Sequence, residues 1–174
     1  MKVTSYIFFF FSFLLLSCQD KCDYYRTYTK QDPIYSSMEV LRDSVKFVDP
    51  REINNPGKLN YKGGYLFISE TSKGIHIINN KNINNPINIG FIVLPGNYDI
   101  ATKGDYLYAD SYLDLVVFDI SDVNAIKEIN RIEGSFENYY SDQGLFNDQG
   151  IVIGFDEEVI EEYIENHDCD NTFD

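Results

Sequence analysis

The hexapeptide KGGYLF at Lys62–Phe67 returns 41 positions later as KGDYLY at Lys103–Tyr108, and NINNPINIGFI from Asn82 aligns 40 positions ahead with DVNAIKEINRI from Asp122. One residue is lost in the gap between them. INNP also occurs twice, at Ile53–Pro56 and Ile83–Pro86, and NDQGIVIGF from Asn147 is a weaker third version of the turn-plus-strand element. No other feature restricts the fold so strongly, because a period near 40 residues belongs to chains built from repeated supersecondary units. One small sheet cannot bury both of its faces. Neighbouring units must therefore stack to make a core.

Within the units the apolar residues alternate with period two. Short runs such as YLFIS, GIHIIN, INIGFIVL, YLYAD and LVVFDI are separated by turn residues, the pattern of half-buried strands. Gly63-Gly64 and Gly104-Asp105 fall where a two-residue hairpin needs positive φ, and so mark the turn between the first and second strands of each unit. Asn79 and Asp119 end the third strands, where a short side-chain oxygen can accept the N–H groups of the next turn. Upstream, SSMEVLRDSV sets Ser36 three residues before Glu39, with Met38, Leu41 and Val45 at helical spacing, which predicts one short capped helix. The expected fold is all-β: an incomplete β-propeller of four-stranded blades over residues 36–165, with one short N-terminal helix.

GIHIINNKNINNPINIGFI and DLVVFDISDVNAIKEINRI resemble the LVIVD repeat, a β-propeller repeat named for an apolar strand ending in Asp, here LVVFDIS. The longer stretches NPGKLNYKGGYLFISETSKGIHIINN and LPGNYDIATKGDYLYADSYLDLVVFDIS are similar to exported lipoproteins of the Bacteroidetes type. The likeness covers roughly residues 36–165. It implies fold and localisation and carries no biochemical activity with it. It also implies a chain of about two and a half blades where such proteins usually continue through more, leaving open edges through which copies could associate.

The first residues, MKVTSYIFFFFSFLLLSC, join Lys2 to an apolar run from Tyr6 to Leu16 that is too short to cross a bilayer as a mature helix. This predicts an export signal over residues 1–17. Leu15-Leu16-Ser17-Cys18 resembles a bacterial lipobox, which makes Cys18 the expected lipid-attachment residue and the outer membrane of the cell envelope the expected location. Residues 18–35, polar with no sustained period, read as a tether. In an exported chain Cys22 and Cys169 can pair, or can remain free or intermolecular thiols.

The formal charge of -14 is uneven: nine carboxylates and no Lys or Arg lie between Asp156 and Asp174, leaving about -5 on the rest. Residues 166–174 read as an acidic tail. The absence of any Lys/Arg cluster excludes nucleic-acid binding.

In KGDYLYADSYLDLVVFDISD the oxygen-bearing Asp110, Ser111, Tyr112 and Asp114 crowd the gap between second and third strands, with Asp99 nearby. Such a group could hydrogen-bond sugar hydroxyls with Tyr112 as a stacking face. It could also hold a hard cation, but the spacing is not that of an EF-hand and the other unit has SETSKG there. Turn chemistry is the simpler account. His76 and His167 have no partner at catalytic or metal spacing, and neither a nucleophile motif nor a cofactor motif is present. The expectation is a non-enzymatic, membrane-tethered module binding a protein or glycan. An incomplete hydrolase-like propeller and a purely structural envelope component are the competing readings.

Overall fold

The computed structural model describes residues 21–168, with side chains over residues 22–165. The expected export signal, Cys18, Cys169 and residues 170–174 of the expected acidic tail lie outside the described residues. The described residues fall into two compact units, 21–32 with 157–168 and Pro33–Asp156.

The unit Pro33–Asp156 is built on two antiparallel meanders. In the first, β3 (Pro56–Lys62), β4 (Tyr65–Glu70), β5 (Gly74–Asn79) and β6 (Ile87–Val93) follow one another across the sheet, and β2 (Lys46–Val48) adds a fifth strand beyond β6. The second repeats the order with β7 (Ile100–Lys103), β8 (Tyr106–Ser111), β9 (Asp114–Asp119) and β10 (Lys127–Ile132). The expected hairpins are present: Lys62 pairs with Tyr65 across Gly63-Gly64, both with positive φ, and Lys103 pairs with Tyr106. So are the expected side-chain turns, with Asn79 Oδ1 accepting from Lys81 N at 3.2 Å and Asp119 Oδ1 from Ser121 N at 2.9 Å. The repeat extends even to an irregularity. Register slips by one residue at Ile89 in β6 and at Ile129 in β10, which stand 40 positions apart.

One core lies between the two meanders. Phe67, Ile75, Ile77, Ile92 and Leu94 come from the first, and Ile100, Leu107, Val116, Phe118 and Ile120 from the second. Each large side chain removed from water there contributes about 1.5–3 kcal/mol. The first strands of the meanders run side by side, with Thr102 Oγ1 donating to Asn60 Oδ1 at 2.6 Å.

A second, smaller core joins Leu41 of α1 (Met38–Asp43) to Tyr112, Leu113 and Ile151, with Met38, Tyr140 and Phe146 against it. Helix α1 is the expected helix, but its cap is Ser37 rather than Ser36: Ser37 Oγ accepts from Val40 N at 3.3 Å. Helix α2 (Glu137–Asp142) follows β10.

The third sheet has the order β1-β12-β11, from β1 (Lys21–Ser36), β11 (Phe146–Asn147) and β12 (Gly150–Asp168). Within the stretch expected as a polar tether, Lys21–Ser36 forms an edge strand, and Asn166–Asp168 of the expected acidic tail lie in β12. The weak third repeat from Asn147 does form a turn and strand, with Asn147 Oδ1 accepting from Gln149 N at 2.8 Å, yet it starts no third meander. Within the unit of residues 21–32 and 157–168, Gln31 Nε2 donates to Glu157 Oε1 at 2.7 Å and the rings of Tyr25 and Tyr163 meet at 5.1 Å. The two strands therefore run antiparallel.

Candidate functional site

The five residues singled out in the sequence divide between two duties. Asp110, at the end of β8, points one carboxylate oxygen at the loop before β7: Oδ1 accepts from Asn97 Nδ2 at 2.9 Å, Tyr98 N at 2.7 Å and Asp99 N at 2.9 Å. Ser111 Oγ donates to the Pro95 carbonyl at 2.8 Å. Asp99 accepts its neighbour Ile100 N at 2.9 Å and otherwise faces solvent, 4.0 Å from Lys58 Nζ. Asp114 turns the other way. Its carboxylate takes Arg42 Nε at 2.7 Å and Nη2 at 3.0 Å, Arg131 Nη1 at 2.9 Å and Gly134 N at 3.1 Å, joining α1 and β10 to the start of β9. Most of the expected cluster is thus turn and clamp chemistry. Among the described residues, no group of three or more His, Cys, Asp and Glu side chains is arranged to hold a metal ion.

Beside this cluster opens a cleft of about 620 Å³ lined by Tyr98, Asp110, Tyr112, Phe136, Tyr139, Tyr140 and Leu145. That volume falls in the range of small-molecule sites. Tyr112 occupies the two-residue turn between β8 and β9 with φ 51°, a left-handed conformation that is costly for an aromatic residue. Its ring covers Gly96, where any Cβ would collide with it. Helix α2 supplies the opposite wall. Phe136 N donates to the Leu113 carbonyl at 2.8 Å, which ties the start of the helix to the β8–β9 turn, and Leu145 N donates to the Tyr140 carbonyl at 2.9 Å, which closes the helix's own C-terminal end. The Tyr112 and Tyr140 rings meet at 6.2 Å and 67°, those of Tyr139 and Tyr140 at 5.5 Å and 84°. Tyr98 and Tyr139 are 50% and 63% exposed, so aromatic surface stands ready for a partner without rearrangement.

The cleft is electrostatically one-sided. It carries one carboxylate and no Lys or Arg among its lining residues. Burial pushes the Asp110 carboxyl above its ordinary range against the hydrogen bonds that hold it ionised, and the Asp99 charge adds to the rise. Burial, then the Asp110 charge, pushes Tyr140 up to about 12. Sequence reasoning named Asp110 and Tyr112 but missed Phe136, Tyr139 and Tyr140. Their signal was three aromatics within five residues of the polar stretch SFENYYSD.

His76 corrects another expectation, since it does have a charged partner. Its Nε2 lies 2.8 Å from Glu70 Oε2, both side chains being fully buried, and Glu70 Oε1 takes Arg51 Nη2 at 2.8 Å and Lys73 Nζ at 3.2 Å. Arg51 in turn covers the Phe91 ring at 4.2 Å, and His76 meets the same ring at 4.6 Å. Burial would raise the Glu70 carboxyl, but the donors His76, Arg51 and Lys73 outweigh it and hold the group below the usual carboxylate range. With Glu70 and His76 fully buried beneath the part-exposed Arg51 and Lys73, this assembly is a structural clasp on the first meander. Strand register could have found it, because Ile68 pairs with His76 and Glu70 lies two residues on, on the same face.

No known protein family, curated protein or solved structure matches the chain. Function has to be argued from the cleft itself.

Proposed function

We propose that the protein is a non-enzymatic binding module of the bacterial cell envelope, held to the membrane by lipid on Cys18, whose protein or glycan ligand seats in the aromatic cleft. The observation that carries this reading is the cleft: exposed tyrosine faces around one carboxylate, supported by hydrogen bonds to backbone on both walls. Aromatic surface of this kind gives binding energy at low entropic cost, since each ring has only two rotatable side-chain bonds to fix.

The architectural part of the reading is that the two meanders are consecutive blades of a β-propeller. Equal strand order, equal hairpins, bulges 40 residues apart and adjacent first strands support it. Loops at one end of such blades gather into a common surface, and the β8–β9 turn that carries Tyr112 is one of them.

Two measurements test the proposal. Titration of the exported protein against panels of oligosaccharides and peptides should find a ligand, and Tyr139→Ala should weaken it roughly tenfold, the equivalent of about 1.4 kcal/mol, with the fold unchanged because Tyr139 is exposed. Equal affinity in the variant would remove the cleft from the proposal. Cys18→Ala should lose acyl labelling and leave the membrane fraction, and retention there would refute the anchor.

A further inference from the structure

The lining of the cleft also restricts the chemistry of what it takes, on the premise that it is a binding site. Parallel aromatic faces suit a flat sugar ring. Here the neighbouring rings meet edge to face, at 67° and 84°, and so present no parallel platform. Five of the seven lining residues are aromatic, the single charged one is Asp110, and Lys and Arg are missing from the lining. Ring faces carry negative electrostatic potential and attract a cation within about 6 Å of the centroid. A carboxylate at the same cavity adds to that attraction, and a poorly hydrated cation loses little on leaving water. We propose that the group recognised in this cleft is an organic ammonium of the quaternary kind, boxed by Tyr98, Tyr112, Tyr139 and Tyr140 and paired with the Asp110 carboxylate.

The remainder of the protein agrees with that sign. Outside the carboxylate-rich stretch Asp156–Asp174 the formal charge is still about -5, which favours cations over anionic ligands at long range. Burial and the Asp110 charge hold Tyr140 in its neutral form far above physiological pH, so the ring stays a neutral phenol while Asp110 supplies the charge.

The test uses choline chloride and its neutral carbon isostere 3,3-dimethyl-1-butanol, titrated calorimetrically into the exported protein at low ionic strength. Choline should bind at least tenfold more tightly than the isostere. Asp110→Asn, which keeps an acceptor for the Asn97, Tyr98 and Asp99 donors, should erase most of that difference, and Tyr139→Ala should weaken choline severalfold. If Asp110→Asn fails to fold, as judged by circular dichroism, the choline–isostere ratio decides alone. Equal affinity for the two probes, or no choline binding, overturns the inference. An oligosaccharide or peptide that binds the cleft and is not displaced by choline would overturn it while leaving the binding module intact, whereas failure of every probe would remove both. Phosphatidylcholine vesicles separate the sources: capture by vesicles that free choline reverses would assign a lipid headgroup, and choline binding without vesicle capture a soluble ligand.

Discussion

Asp114 holds two guanidinium groups and a backbone amide where its own side chain has no contact with solvent. Burial alone would raise its carboxyl, but the donors Arg42, Arg131 and Gly134 N–H win and keep it below the usual range. Removing the carboxylate strands two partly buried cations, and Asp114→Ala should cost about 3–5 kcal/mol in urea unfolding. Arg42→Ala should cost less, because Arg131 and Gly134 remain. The pH dependence follows from the same pairing. A carboxyl whose native pKa is lowered stabilises the fold above its unfolded-state pKa, and that contribution disappears as pH falls through the native value. Glu70 and Asp114 are both lowered, so stability should fall on acidification below the ordinary carboxylate range, and an Asp114→Asn variant should show a flatter acid limb. A wild-type stability constant down to strongly acid pH would contradict this. Asp114 could be recognised in the sequence as an unusual residue but not as a clamp, because its partners lie 72 and 17 residues away. Glu70 and His76, six apart, were hidden by register rather than distance.

Elements were most legible where burial imposes a period. Strands β4, β5, β8 and β9 alternate apolar residues because one or both faces meet a core, and the alternation located them. Strand β1 has no such imprint. Lys21–Ser36 is exposed along most of its length and includes Pro33, which an edge strand tolerates, so its sequence reads as tether. A two-stranded ribbon with little buried surface is marginal in water. Cys22 of β1 is disulfide-bonded. If Cys18 carries lipid as proposed, Cys169 is left as the partner of Cys22, which we propose, in a loop whose closure contributes up to roughly 5 kcal/mol on the entropic account. Non-reducing peptide mapping should find Cys22 linked to Cys169. Mild reduction should raise amide exchange in residues 22–32 and 157–165 well before that of β5 and β9. A Cys22–Cys18 peptide, or exchange unaltered by reduction, would sink the assignment.

At the scale of the whole molecule the repeat made the pair of meanders legible, down to their turns, while the aromatic cleft was only half visible because α2 lies outside the repeat. Two meanders bury their facing sides in one core and leave Leu59, Tyr61, Ile129 and Ile132 more than half exposed. Each such side chain forgoes part of the 1.5–3 kcal/mol or so that burial gives, against a net domain stability of about 5–15 kcal/mol. A Cys18→Ser form freed of lipid should therefore self-associate at micromolar concentration in light scattering and bind a hydrophobic dye. A monodisperse monomer with a sharp melt and no dye uptake would favour a self-sufficient β-sandwich over propeller blades. Helix α1 brings in the dimension of time. Six residues are too few to persist as an isolated helix, and what holds α1 is Leu41 against Tyr112, Leu113 and Ile151 and Arg42 against Asp114. All of those contacts belong to chain made at least seventy residues later. A segment synthesised that much earlier must therefore wait for its packing until the second meander has closed behind it.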